Sequence, residues 1–500
     1  MMAITFNYSH TNSGKQLIFV TVGYNSHVSK IRKLLWGILI SLPLILIMVL
    51  MVSSDWASLN RLLHKSHNAI IANDKLAASN ALAQAAHYSP RQFEYLEQAG
   101  IFALQAGDRN AAKTYLEQVH ASGELSPEGL TSLGDIAQME GNDQLSIDYW
   151  EAAIISSDEV EIFTKLIQAY RQVDDWGKAV KTQKELVSRF PNNPQYNYQL
   201  GLMLAASQPD AALAYLTLAG ELDASIKSET KTLVRNLRSA LNSDDPSYPL
   251  VTAGQALAAM NEWELASIAF SNATQVNPDY AEAWAYLGEA LQQTGQDGFE
   301  EMVEALNLDP DSVAANTLMA LYWQRQVRYD LALVYLYAAA QLDEKNPALQ
   351  AEIGNTLGLL GNIPAAETHY QRAVNMAPKD PTYWRSLAKY YIRYEIDLRE
   401  DGLSAARQSV ILSPYDPQSL DIIAQIYLLL DSPLLARRFL ERALAADGEY
   451  APAHLHFGLV NILERDFLGA YQHFIAAKSF SPPDSPSAEQ AVRLLETYFP

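Results

Sequence analysis

The chain has 500 residues, with 36 Lys and Arg against 57 Asp and Glu, and it contains no cysteine. The lack of cysteine excludes disulfide frameworks, cysteine-ligated metal sites and thiol nucleophiles. The formal charge of −21 argues against a nucleic-acid-binding protein, which would normally present a basic surface. Hydrophobic residues make up 49% of the chain, so wholesale disorder is also excluded.

The first element in chain order is a predicted membrane-spanning helix. Residues 34–52 contain no charged side chain, and as an α-helix they would extend about 28 Å, close to the thickness of the hydrocarbon core of a bilayer. Trp36 and Trp56 lie near its two ends, where aromatic rings favour the lipid headgroups. We therefore assign residues 34–53 to a transmembrane helix and residues 1–33 to the segment that precedes it.

The flanking charges predict the orientation of this helix. The preceding segment carries no acidic residue and four basic residues, Lys15, Lys30, Arg32 and Lys33. The positive-inside rule then places the N-terminus in the cytoplasm and the residues after the helix outside it. The reversed orientation and a cleaved signal peptide, with its cleavage site near 52–54, are the alternatives. The 19 apolar residues are more than the usual core of a signal peptide contains.

Beyond residue 53 the dominant feature is a repeat of about 34 residues. Segments 247–280 and 347–380 share glycine at repeat position 8, alanine at positions 20 and 27, an aromatic residue at position 24 and proline at position 32. Small side chains would let two helices approach closely, and proline would end the second helix. The same register predicts repeats at 59–92, 93–126, 127–159, 160–193, 194–226, 247–280, 281–312, 313–346, 347–380, 381–416, 417–450 and 451–484.

This pattern resembles the tetratricopeptide repeat. The residues of two repeats that match its consensus are Trp284, Leu287, Gly288 and Pro310 in one, and Gly458, Phe467, Ala470, Phe474, Ala477 and Pro482 in the other. The resemblance implies an all-α, right-handed solenoid of about 12 helix pairs, in addition to the transmembrane helix. It also implies that the first helix of each repeat lines a concave groove that binds peptides or protein segments.

Departures from the repeat predict how the chain is organised. Residues 227–246 fit no repeat, and we assign them to a linking helix between a first array at 54–226, with about five repeats, and a second array at 247–484, with about seven. Residues 485–500 are predicted to form a capping helix, because a terminal repeat has no neighbour to cover it. The repeat at 381–416 has two residues more than the 34-residue period, near Ile396.

The sequence contains none of the motifs that would indicate an enzyme. It has no phosphate-binding loop, no His-Glu-x-x-His metal motif and no Gly-x-Ser-x-Gly nucleophile motif. We interpret His64 and His67 as groove or surface residues, because no third metal ligand has an evident spacing. His454 and His456 are interpreted as structural, because two residues apart they lie on different faces of a helix and His454 takes a packing position. The sequence therefore predicts no catalytic residue, no cofactor and no metal site.

The resemblance implies that positions 2, 5, 9, 12 and 13 of each first helix face the groove. In the second and third repeats these positions carry Glu94, Glu97, Glu128 and Asp135, which predicts an acidic stretch.

The repeat at 381–416 instead carries three cations, Arg385, Lys389 and Arg393, on one helical stripe. Like charges at this spacing repel each other, so the stripe is a candidate contact for an acidic peptide or a C-terminal carboxylate. The alternative is a solvated face that acidic residues of neighbouring repeats neutralise. Asn355 occupies the place of an asparagine in the carboxylate clamp of some family members, but Ala351 interrupts that clamp.

The sequence thus predicts a single-pass membrane protein whose extracytoplasmic repeats bind protein or peptide partners through the groove, without catalysis and without binding nucleic acid. The alternative function is a non-catalytic accessory subunit of an envelope glycosyltransferase or polymer-assembly complex.

Overall fold

The computed structural model describes residues 54–483 and 485–499. The predicted transmembrane helix at 34–53 and the segment 1–33 lie outside these residues. The described part of the chain is all-α, without a β-strand, as the repeat pattern predicted. None of its helices has both the length and the apolar character that crossing a membrane requires.

The described residues form two compact units, one ending at Thr182 and the other beginning at Gln183. The division falls inside helix α8, Trp176–Arg189. Seven helices precede α8 in the first unit: α1 (54–71), α2 (Lys75–Tyr88), α3 (Phe93–Gln105), α4 (Arg109–His120), α5 (Pro127–Met139), α6 (Asp143–Ile154) and α7 (Val160–Gln172).

In the second unit, helices of 10 to 17 residues follow one another through short turns. Most of them form antiparallel pairs in which the first helix packs along the second, and each pair packs against the next. They are α9 (Pro194–Ala205), α10 (Pro209–Leu222), α11 (Ala224–Ala240), α12 (Tyr248–Ala259), α13 (Trp263–Val276), α14 (Ala281–Gln293), α15 (Phe299–Leu308), α16 (Val313–Arg325), α17 (Tyr329–Leu342), α18 (Pro347–Leu359), α19 (Ile363–Met376), α20 (Pro381–Tyr394), α21 (Leu403–Leu412), α22 (Pro417–Leu429), α23 (Pro433–Ala446), α24 (Ala451–Leu463), α25 (Phe467–Phe480) and α26 (Pro486–Tyr498).

The turn between the two helices of a repeat has a constant backbone conformation. At repeat position 15 the φ angle is positive in all the repeats of the described chain except 194–226. Glycine supplies this left-handed conformation in four repeats, as at Gly361, where φ is +81°. Other residues adopt it elsewhere, including Val327, whose φ is +59°. The recurrence of one backbone conformation at one position agrees with the spacing read from the sequence.

Repeat position 8 is where the two helices of a pair come closest. A Cβ atom added at Gly254 would lie 2.5 Å from a ring carbon of Phe270, so only glycine leaves room for this aromatic ring. Ala266 and Ala273 complete the contact and are fully buried. The predicted pairing of small residues with an aromatic residue is confirmed here.

The irregular segments have local explanations. The stretch expected to link two arrays is mostly α11, which packs against α10 and α12. The two compact units meet between Thr182 and Gln183, which is not the boundary between the predicted arrays. The assignment of separate arrays at 54–226 and 247–484 stays a prediction. The extra residues near Ile396 form a left-handed turn and a π-helical turn, Leu398–Gly402, before α21. At the other end, α26 packs against α25 within the predicted capping segment.

The turn between α16 and α17 generates a testable prediction. Val327 is β-branched, and its side chain is strained in the left-handed region by roughly 1–2 kcal/mol. We expect Val327→Gly to raise the free energy of unfolding by about 1 kcal/mol, after subtracting the entropy that glycine adds to the unfolded chain. The reverse change in the next repeat, Gly361→Val, should lower it by about 1–2 kcal/mol. Chemical denaturation followed by circular dichroism measures both, and equal stability of the two variants would contradict the strain argument.

Candidate functional site

The first of the three predicted cations, Arg385, has a partner within the fold. Its Nη1 donates to the Asp416 carboxylate at 2.9 Å, and its side chain is 17% exposed. Asp416 is also the N-cap of α22, where it accepts hydrogen bonds from the backbone N–H of Ser419. Burial alone would raise the pKa of Asp416, but the hydrogen bonds from Ser419, together with the smaller effect of the Arg385 guanidinium, hold it below its usual value. Arg385 therefore joins α20 to α22 and is neutralised by a neighbouring repeat.

The other two cations line a cavity of about 410 Å³ between α18 and α20, which we call the α18–α20 cavity. Arg393 Nη1 donates to Asn355 Oδ1 at 3.4 Å, and Asn355 in turn donates to Glu352 Oε1 at 3.2 Å. Lys389 and Arg393 are both exposed. Within the described residues neither cation has a carboxylate at ion-pair distance.

The carboxylate of the cavity is held by neutral groups. Glu352 Oε1 accepts a hydrogen bond from Gln324 Nε2 on α16 at 2.7 Å, besides the one from Asn355. Both of these partners are neutral amides, so Glu352 does not form an ion pair with Lys389 or Arg393. Its negative charge acts on the two cations only through an electrostatic field that weakens with distance.

Three tyrosines, Tyr370, Tyr390 and Tyr394, also line the cavity, and none of them was among the site residues predicted from the sequence. The Tyr390 ring lies 5.3 Å from Tyr370 and 5.4 Å from Tyr394, measured between centroids. Burial raises the pKa of Tyr390 to about 12 and raises that of Tyr370 as well, so both phenols remain protonated. Tyr390 donates its proton to the Ile363 carbonyl at 2.9 Å.

Gly358 makes room for the third of these rings. A Cβ atom at this position would lie 2.5 Å from the Tyr394 hydroxyl oxygen. Gly358 occupies repeat position 12, one of the positions that the resemblance placed in the groove. The sequence signal that could have indicated this cavity is a glycine at a groove position of one repeat, followed in the next repeat by two tyrosines four residues apart, Tyr390 and Tyr394.

Two of the predicted acidic groove residues, Glu97 and Asp135, have partners within the fold. Glu97 is only 6% exposed, and its Oε1 accepts hydrogen bonds from the backbone N–H and the hydroxyl of Ser126 at the start of α5. Asp135 accepts from Lys165 Nζ at 2.8 Å and lines a separate cavity with it. Glu94 is exposed. Glu97 and Asp135 thus have their partners inside the first unit.

The two C-terminal histidines singled out from the sequence, His454 and His456, have polar partners within the fold. His454 Nε2 donates to the Gly448 carbonyl at 2.9 Å, and its Nδ1 lies 2.9 Å from His473 Nδ1. His456 Nδ1 lies 2.6 Å from the buried Asp421 carboxylate. His64 and His67 are exposed on α1. No group of three or more metal-binding side chains occurs among the residues that the structure describes.

Comparison with known proteins gives two matches to one family. Residues 251–297 and residues 324–390 each match the tetratricopeptide repeat family. The second segment includes part of the α18–α20 cavity. These two segments of the second unit are therefore similar to tetratricopeptide repeats, in agreement with the resemblance that the sequence pattern indicated.

One curated relative is the general transcriptional corepressor trfA of Dictyostelium discoideum, 26% identical over 127 residues. The match spans 24% of this chain and only 9% of that protein. Among solved structures, the APC/C hetero-tetramer Cut9–Hcn1 is 14% identical with a TM-score of 0.40, covering 87% of this chain and 96% of that one. A tetratricopeptide repeat protein from Parabacteroides merdae is 15% identical with a TM-score of 0.42, covering 51% and 99%. These TM-scores are too low to support an argument about function.

The histidine pair generates a prediction about pH. Burial, together with the nearby His454 and Arg437, lowers the pKa of His473 to about 4, whereas an unfolded chain has a histidine pKa near 6.5. The unfolded state therefore binds more protons between these values, so stability is highest above about pH 6.5 and is lost as the pH falls towards about 4.

We expect His473→Gln to reduce this loss, because the variant no longer has the titrating imidazole. Melting temperatures of the wild type and the variant, measured between pH 7.5 and 4.5, test this. Carboxylates titrate in both proteins, so only the difference between the two curves is informative. Parallel curves would show that His473 does not control the pH dependence.

Proposed function

We propose that this protein is a membrane-anchored scaffold that binds protein partners along the first helices of its repeats and does not catalyse a reaction. The tetratricopeptide repeats support the scaffold, since stacked helix pairs present a rigid surface that loses little entropy when an extended segment docks on it. The sequence of residues 34–53 supports the anchor.

The α18–α20 cavity is the observation that carries the binding proposal. Two cations, Lys389 and Arg393, line it with no carboxylate at ion-pair distance in the described part of the chain, although the chain has a formal charge of −21. A carboxylate brought by a partner would complete the charge balance there, with charge-assisted hydrogen bonds from both side chains. The proposed ligand is an acidic segment of a protein partner, and Arg385 is not part of this contact because Asp416 neutralises it.

We expect the double substitution Lys389→Glu with Arg393→Glu to reduce partner recovery from native membranes about tenfold, which corresponds to roughly 1.4 kcal/mol of binding free energy. The melting temperature should change little, because neither side chain has an ion pair to lose. Crosslinking followed by mass spectrometry measures the recovery and identifies the partners.

A matched control makes the same change of charge at two cations that are close in the chain but lie outside the cavity. Arg372 and Lys379 are exposed and do not line the cavity. Arg372→Glu with Lys379→Glu should therefore leave recovery unchanged. If the two double variants lost the same partners to the same extent, a general charge effect would explain the result and the cavity would have no specific role.

The anchor is tested by extraction. We expect the full chain to stay with membranes in alkaline carbonate, and a variant without residues 1–53 to be released, because only the apolar stretch would hold the chain in lipid.

Protease added on the outer side of the cytoplasmic membrane should digest the repeats. Digestion only after lysis would indicate the reversed orientation, and a mature N-terminus near residue 53 would indicate a cleaved signal peptide. The accessory-subunit alternative predicts that a glycosyltransferase or polymer-assembly protein is among the crosslinked partners.

A further inference from the structure

Three side chains determine the charge of the α18–α20 cavity. Among the residues that line it, Lys389 and Arg393 are cationic and Glu352 is anionic. The remaining lining side chains are of types that carry no charge at neutral pH. Two cations and one anion leave a single positive charge in the cavity. Without Glu352 the same lining would carry two.

The carboxylate of Glu352 is fixed in position but is not neutralised. Gln324 Nε2 donates to Glu352 Oε1 and to Thr356 Oγ1, at 2.7 Å in both cases, and Thr356 is fully buried. Asn355 donates to the same oxygen of Glu352. The other oxygen, Oε2, accepts no hydrogen bond from the residues that the structure describes. A ligand in the cavity would therefore meet a negative charge at a defined place.

This negative charge lies close to one of the two cations. Asn355 donates to Glu352 Oε1 at 3.2 Å and accepts from Arg393 Nη1 at 3.4 Å, so a single amide group separates the two charges. Such a separation is shorter than the Debye length of about 10 Å at 0.1 M salt. Burial is the main cause of the raised pKa of Tyr370, to which Glu352 adds and which Arg393 opposes. Both charges thus reach the same wall of the cavity.

A lysine and an arginine together would normally suit a phosphate group as well as a carboxylate, since both side chains bind phosphate. A phosphate monoester carries a charge of about −1.5 to −2 at pH 7. A carboxylate would make the cavity neutral, whereas a doubly charged phosphate would leave one negative charge in it. Repulsion by Glu352 would also cost the phosphate about twice as much free energy as it costs the carboxylate.

We propose that Glu352 makes the α18–α20 cavity selective for a singly charged carboxylate over a doubly charged phosphate group. This selectivity rests on the binding function proposed above, and it specifies the ligand as an unmodified acidic segment, not a phosphorylated one. Lys389 and Arg393 supply the attraction, and Glu352 determines the specificity.

Short synthetic peptides test this selectivity on the full chain in an uncharged detergent. They share capped ends, an uncharged fluorophore and a flexible Gly–Ala sequence, and their central residue is glutamate, phosphoserine or serine. Fluorescence anisotropy at low ionic strength, where charge interactions are strongest, measures the dissociation constants. We expect the wild type to bind the glutamate peptide more tightly than either of the others. The serine peptide with a free C-terminus distinguishes a terminal carboxylate from a side-chain carboxylate, and preference for either one over phosphoserine supports the proposal.

The substitution Glu352→Gln removes the charge and keeps an oxygen that can accept from Gln324 and Asn355. We expect it to raise the affinity for the phosphoserine peptide at least threefold more than the affinity for the glutamate peptide, because the doubly charged ligand is relieved of about twice the repulsion. Glu344→Gln is the matched control, since Glu344 is exposed and does not line the cavity. It should leave the ratio of the two affinities unchanged.

The selectivity would be overturned if the wild type preferred the phosphoserine peptide, or if Glu352→Gln and Glu344→Gln changed the ratio equally. The variant Lys389→Glu with Arg393→Glu distinguishes these results from a failure of the binding function. If it lost both peptides while Glu352→Gln left the ratio unchanged, the cavity would bind anions without this selectivity. If it bound both peptides as well as the wild type does, neither proposal would stand.

Discussion

The architecture depends on the close approach of two helices across a residue that has no side chain. Gly254 and Gly458 each face an aromatic ring of the second helix of their repeat, Phe270 and Phe474, at a distance that leaves no space for a Cβ atom. Alanines of the second helix fill the rest of each contact. Because every pair of this kind has one apolar side to bury, it packs against the next pair, and the stack continues along the unit.

Once the periodic residues are used in this packing, the remaining side chains determine what the surface can do. Many of the charges also stabilise the stack, as the ion pairs Arg385–Asp416 and Lys165–Asp135 show by joining successive repeats. Lys389 and Arg393 are different, because they line a cavity with tyrosine rings and have no carboxylate partner in the described structure. This contrast within one helix is the physical basis of the proposed binding function.

The α18–α20 cavity of the second unit has an excess of hydrogen-bond donors and positive charge, which suits an acidic segment. A scaffold of this type could present several partner sites at once.

Much of the fold could be predicted from the sequence, because helix pairs are specified by residues close together in the chain. The spacing of Gly254, Ala266 and Phe270 defines which faces meet, and proline and left-handed turn residues define where helices end. The sequence also determined the composition of each groove position. It could not determine which charges find partners, since Arg385 and Asp416 are 31 residues apart and their contact depends on the distance between neighbouring repeats. For the same reason only the tertiary structure showed that Glu97 is buried, and that Gly358 leaves space for Tyr394 beside Lys389 and Arg393.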